Sequence, residues 1–334
     1  MHHFTAHQLH FTCEVQTPIL LNEHQGSAIR GALFNALRSR FCFEKHLKDC
    51  GECALWNSCP ICFLVASRNP ESERGVEVPR PYTIEPPLTG KTHYEPKETL
   101  EFGLTMFAQA LKLFPYIVLA SQALERGGLG KRFNESARRD GRRFRGTFMI
   151  REIAAVNPLT GERQPVLRGG DKLVRMPDVP VTHHQVLQRA KQLLAQNPSQ
   201  LTIHLLTPTR LIHQGHLVKS GHVSFSIFFH RLMERLASLS AQYSNTPLGP
   251  EWRSFLSQAD QVETVEDRTQ WVELESYSTR TQVRTPLGGL VGQVTFRAAH
   301  WQPFLPWLVW GQFTHLGKDT VKGNGWYSIS QGTN

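Results

Sequence analysis

The stretch FLPWLVWGQFTHLGKDTVKGNGWYSI, Phe304 to Ile329, passes from an apolar helix-like run through a loop and into an alternating strand. Three glycines and two lysines fall within the nine residues Gly317 to Gly325. Glycine lets a backbone approach its neighbour without a Cβ clash, and amides beside ammonium groups suit a phosphate, although a plain connecting turn has the same composition. Arg126 to Ile153, RGGLGKRFNESARRDGRRFRGTFMIREI, follows a helical pattern with another basic glycine loop and closes on another strand. The two layouts match in kind while their residues are too dissimilar for a sequence repeat.

Working outward, QLHFTCEVQTP alternates through Leu9, Phe11, Cys13 and Val15, which predicts a first strand. Ile29, Leu33, Leu37 and Phe41 recur at helical spacing over Gly26 to Phe43, with Arg30, Arg38 and Arg40 on other faces. A Pro-rich passage, Val78 to Leu88, leads to a strand at Thr99 to Met106. A helix at Phe107 to Glu125 follows, which Pro115 should kink or break. Thr147 to Val156 reads as a strand and His183 to Gln196 as a helix, and NPSQ places a domain boundary near 197. Beyond it come a strand at LTIHLLTPTRL, helices at Val223 to Tyr243 and Glu251 to Ala259, strands at Val272 to Thr281 and Leu290 to Arg297, and a helix at Gln302 to Thr314. The expectation is an α+β protein of tandem ferredoxin-like (RRM-like) domains, 1–197 and 198–334, with a cysteine-rich insertion at about 48–64 in the first. That fold hosts many functions and names none.

The 334 residues contain 37 Lys+Arg against 28 Asp+Glu, a formal charge of +9, which favours a polyanionic partner, nucleic acid before membrane. No apolar run nears the roughly 20 residues of a spanning helix, and the amino terminus lacks a signal-peptide layout, so the expected location is the cytoplasm. Six cysteines there are not expected to pair as disulfides. Cys50, Cys53, Cys59 and Cys62 are spaced C-x2-C-x5-C-x2-C, two knuckles that can offer four thiolates to one structural zinc. An iron–sulfur cluster and four free thiols are the alternatives. Cys13 and Cys42 lie on apolar-periodic segments and are expected to be core thiols.

TPTRL at Thr207 to Leu211, ELESYSTRTQ, GGLVGQVTF at Gly288 to Phe296 and the opening stretch together resemble the carboxy-terminal domain of CRISPR-associated endoribonucleases that cut precursor CRISPR RNA within its repeats. These enzymes belong to the repeat-associated mysterious protein superfamily. More loosely, QGSAIRGALFNAL resembles that superfamily's first helix, and GGLGK through GRRFRGTF its first glycine-rich element. The resemblance implies tandem ferredoxin-like domains, a CRISPR repeat RNA as partner, and metal-independent cleavage leaving a 5′-OH and a 2′,3′-cyclic phosphate. It also allows a non-catalytic RNA-binding subunit of a CRISPR effector complex.

Metal-free cleavage needs proton transfer at the 2′-OH and at the leaving 5′-oxygen, and positive charge at the phosphorane. Histidine suits the first and lysine or arginine the second. Among 16 histidines three are candidates: His315, which matches the family motif, His46 beside Lys45 and Lys48, and His24 just before the first helix. For each the alternative is a hydrogen-bonded structural histidine. RNA contact is expected from Gly317, Lys318, Lys322, Gly323 and Gly325, from Arg30 and Arg38, and from Arg138, Arg139, Arg142, Arg143 and Arg145. His213, His216 and His222 form a looser group with a choice between a metal site and polar surface, and Tyr277 and Trp326 between base stacking and core packing.

Overall fold

In β1 (Thr5–Val15) every second residue from Leu9 to Val15 is buried, as the alternation required. The protein is seen in a computed structural model that describes residues 1–47, 50–72, 75–134, 143–171, 173–278 and 282–331. After β1 come β2 (Ile19–Leu20), α1 (Gln25–Phe41), α2 (Pro60–Val65), β3 (Tyr82–Glu85), β4 (His93–Tyr94), β5 (Thr99–Phe107) and α3 (Phe114–Gly127). The hairpin β6 (Leu129–Asn134) and β7 (Arg143–Gly146) leads to β8 (Phe148–Asn157) and β9 (Glu162–Arg168). The main sheet has the order β3-β5-β1-β8-β9. Ile29, Leu33 and Leu37 of α1 and Ile117, Val118 and Leu124 of α3 are buried. Pro115 occupies the first turn of α3, where its missing N–H costs nothing, so it starts the helix instead of kinking one. A 3-10 segment, Ala108–Leu113, fills the space before it.

A buried carboxylate crosses this sheet. Glu85 on β3 stands opposite Gly103 on β5, and a Cβ at Gly103 would lie 2.3 Å from Glu85 Oε2. The carboxyl accepts from Thr105 Oγ1 at 2.6 Å and from Gln8 Nε2 on β1. Burial raises its pKa, with the two hydrogen bonds pulling the other way.

The second part of the chain holds β10 (Val181–Thr182), α4 (His183–Ala195), β11 (Gln200–Thr209), the hairpin β12 (Ile212–His213) and β13 (His216–Leu217), α5 (Phe225–Tyr243) and α6 (Ser254–Ala259). It continues through β14 (Glu263–Val272), the hairpin β15 (Glu275–Ser278) and β16 (Val283–Pro286), β17 (Gly289–Arg297), α7 (Leu305–Thr314) and β18 (Tyr327–Gln331). Its sheet has the order β14-β17-β11-β18, with every neighbouring pair antiparallel. Phe225, Phe228, Phe229, Leu232 and Leu236 of α5 are fully buried, each contributing roughly 1.5–3 kcal/mol. Phe225 meets Phe296, Trp301 and Phe304 edge-on.

The chain divides into two units, His7–Pro180 and Met1–Ala6 with Val181–Asn334, where the sequence reading put the boundary at 197. The cause is α4, which packs on α7: Trp310 Nε1 donates to His183 Nδ1 at 3.0 Å, and Phe4 packs edge-on against Trp310. The α4 start is fixed by a reciprocal Thr182–Gln185 capping box. In each unit the main elements run strand–helix–strand–strand–helix–strand, with the strands ordered second, third, first, fourth. Two of those strands were missed in the sequence. β3 lies between prolines, and β14, expected only from Val272 onward, is an edge strand whose one buried residue is Thr269.

Candidate nucleic-acid interface

The terminal glycine loop is held by the bulged end of β11. Gly325 N–H donates to Pro208 O (3.0 Å), Trp326 N–H to Thr207 Oγ1 (2.9 Å) and Lys318 N–H to Arg210 O (3.4 Å). Leu316 N–H closes the loop on Gly325 O at 3.0 Å, and Asn324 Nδ2 reaches Leu287 O at 3.0 Å. A Cβ at Gly325 would lie 1.8 Å from Leu316 O, and one at Gly317 would lie 2.6 Å from Arg210 O. Both glycines have positive φ, +75° and +79°. The glycines thus serve the loop's own packing. Gly323 N–H is also spent, on Thr320 O. Of the three glycines offered for amide contact with RNA, only Gly317 keeps an uncommitted N–H, beside those of Asp319, Thr320 and Val321. Lys318 is exposed, whereas Lys322 is paired with Asp319 at 2.9 Å.

His315, whose backbone caps α7 at φ +57°, is 0% exposed. Its ring stacks on Trp326 with centroids 5.9 Å apart, and neither ring nitrogen makes a well-formed hydrogen bond. Burial, with the Arg235 guanidinium nearby, lowers its pKa to about 3, against a smaller opposing effect of the Asn324 backbone. Arg235 is half-buried beside it, donating to Thr314 O at 2.6 Å, and desolvation lowers its own pKa to about 10. In this arrangement His315 is a neutral core residue, and Trp326 is its packing partner.

α1 and the loop beyond it carry the other two histidines. His24 is the N-cap residue of α1 and is 6% exposed. His46 is exposed, with 74% of its side chain accessible and Nδ1 3.4 Å from Glu44 Oε2. Its chain neighbour Lys45 and Arg40 in the last turn of α1 are exposed, while Lys48 falls outside the described residues. Arg30 and Arg38 both lie over the Phe34 ring, at 4.9 and 5.8 Å, and Arg38 Nη2 donates to Leu47 O. Arg38 therefore positions the His46 loop.

The arginine segment is described only at its edges. Arg138, Arg139 and Arg142 fall outside the described residues, as does the side chain of Arg143 in β7. Arg145 is half-buried, with its pKa lowered first by burial and then by Arg132. Lys131 and Arg132 on β6 are exposed cations that the sequence reading passed over, although they belong to the quoted basic stretch. His213 and His216 pair across the β12–β13 turn and are exposed, as is His222. The side chain of Tyr277 is outside the described residues. Cys50, Cys53, Cys59 and Cys62 line one small cavity, and Cys13 is buried as expected, while Cys42 is half-buried and lines that cavity as well.

Residues 203–327 match the family model described as CRISPR-associated endoribonuclease Cas6, and residues 4–179 match one described as an N-terminal domain. A sequence comparison with curated proteins found no match. Among solved structures, a Cas6 product complex superposes with a TM-score of 0.54 at 14% identity, over 98% of this chain and 99% of that one. Thermus thermophilus Cas6 gives 0.55 at 12% identity, over 98% and 99%. A chain of a partial Cas6-RT-Cas1–Cas2 complex gives 0.60 at 12% identity, over 98% of this chain and 46% of that longer one. At such identities the three likenesses speak for the fold. No helix among the described residues is long and apolar enough to cross a membrane.

Proposed function

Because the chain belongs to the Cas6 family of CRISPR-associated endoribonucleases, we propose that it cuts precursor CRISPR RNA within the repeats without a metal ion. The strand order of both units supports reading them as tandem ferredoxin-like domains. In the reaction the 2′-oxygen attacks the adjacent phosphorus, the bond from phosphorus to the 5′-oxygen breaks, and the 2′-proton leaves to a base. A proton delivered to the 5′-oxygen completes a 5′-OH product beside a 2′,3′-cyclic phosphate.

The exposure of His46 carries the assignment of proton transfer. Of the three candidate histidines it is the one whose ring solvent and substrate reach, in contrast to buried His24 and His315. Lys45 adds charge next to it in the chain, and Arg38 fixes its loop through the Leu47 carbonyl. In the other unit, Lys318 and the uncommitted amides from Gly317 to Val321 support contact with RNA phosphates. Lys131, Arg132 and Arg145 support a further backbone contact.

The test incubates the pure protein with repeat RNA in excess EDTA, beside the same RNA carrying one 2′-deoxy at the cut. Cleavage of the first alone, with a 5′-OH fragment, is the expected result. Tight binding of both RNAs with neither cut would replace the nuclease reading with that of an RNA-binding subunit.

A further inference from the structure

The cysteine insertion has no part in the RNA reading, yet its fold is specific. Cys50 opens a single 3-10 turn, Cys50–Glu52, and Cys53 N–H donates back to Cys50 O at 3.3 Å. Cys59 caps α2, Cys62 is that helix's third residue, and Phe63 N–H donates to Cys59 O at 3.0 Å. The spacer is itself turned, with Trp56 N–H on Cys53 O and Cys59 N–H on Leu55 O. Both C-x-x-C segments are thus compact turns, and all four thiols line the same cavity. Cys50, Cys53 and Cys62 are buried, Cys59 is half-buried, and none forms a disulfide.

Three buried thiols and a half-buried fourth in a short insertion are poorly explained by packing alone. The insertion has few large apolar residues of its own in the interior, namely Ile61, Leu64 and Val65. Segments of this size are commonly stapled by a disulfide or a metal.

We infer that Cys50, Cys53, Cys59 and Cys62 hold one structural zinc ion that clamps the insertion beneath the loop carrying His46. Among the described residues no three Cys, His, Asp or Glu groups are already arranged around a metal point. Zinc would displace the thiol protons and draw the sulfurs to about 2.3 Å from itself, as coupled folding and binding requires. Phe43, Glu44 and Leu47 line the same cavity, so a contraction there bears on the His46 loop. Arg68 donates to Gly51 O and ties the insertion to the segment after α2. Cys42 lines the cavity from the end of α1 but stands outside the two turns, and it is assigned no metal bond.

The test needs no RNA and so stands apart from the cleavage experiment. The full chain is purified under reducing, chelator-free conditions, and its metal is measured together with zinc released by a thiol-blocking reagent. About one zinc per chain is expected, lost in Cys53→Ser and Cys62→Ser and kept in Cys42→Ser. Because the first two variants could fail to fold, wild-type melting is followed with a strong chelator. A fall in Tm of about 5–10 °C, reversed by added zinc, is expected. Two results would overturn the inference: no stoichiometric zinc as purified or after incubation with zinc under reductant, or iron with visible absorption in its place.

Discussion

The loop after α1 and the loop after α7 each put a histidine beside basic residues, and they use it in opposite ways. His46 stands in solvent with Nδ1 3.4 Å from Glu44 Oε2, on a backbone held by Arg38. His315 is sealed between Trp326 and the Arg235 region, in a loop whose glycines are committed to its own closure. The family motif lies over the second loop, but the accessible imidazole lies on the first. A motif can therefore mark where a loop must pack, while the proton chemistry depends on which imidazole is left in water.

This contrast is easiest to break in the terminal loop. Gly325→Ala places a Cβ against Leu316 O at a residue with positive φ, and should cost about 4 kcal/mol or prevent folding, measured by denaturant unfolding. If stability barely changed, the loop would not be the packed unit described. Next comes a pair of variants on repeat RNA. His46→Ala should lower single-turnover cleavage about 100-fold with an unchanged melting temperature. His315→Asn should destabilise the fold and leave cleavage by the surviving folded fraction largely intact. The opposite pattern would move the proton transfer to His315.

The smallest effect sharpens the contrast through pH. His315 has its folded pKa depressed to about 3, and His7 and His183 have theirs depressed to about 4, in each case chiefly by burial. Between those values and the unfolded value near 6.5, the unfolded chain binds protons that the folded chain refuses. Stability is therefore complete above about pH 6.5 and declines as pH falls. Below about pH 5 fully buried His315 contributes a slope of about 1.4 kcal/mol per pH unit. Urea midpoints between pH 4 and 7 should show a shallower decline in His315→Asn.

How much of this could be read from the sequence depended on whether a residue's environment is set locally. Strong periodicity found β1, α1, α5 and β11 to within a few residues, because an amphipathic pattern and the face it buries are the same fact. β14 escaped because an edge strand buries almost nothing and its ETVEDRTQWV reads as a polar linker. β3 escaped because four residues between prolines offer no period to count. The basic loops and cysteine turns were legible as chemistry. The burial of His315 was not, since it depends on Arg235 arriving from α5 and on the loop folding Trp326 back onto the ring. Nor was the cost of each glycine, which is set by a carbonyl far away in sequence, as at Gly317 and Arg210.

Glu85 carries a last consequence, for the search among wrong pairings during folding. A four-residue edge strand has few positions with which to choose its alignment, Tyr82 and Ile84 being its apolar ones. Here the side chain can lie across β5 only where Gly103 leaves room, and its carboxyl finds Thr105 and Gln8 only from that position. A slip of one residue would set the carboxyl opposite Phe102 or Leu104, neither of which has a side-chain donor to meet it. The residue works as a proofreader of β3: it adds little attraction to the correct alignment and makes the incorrect ones expensive.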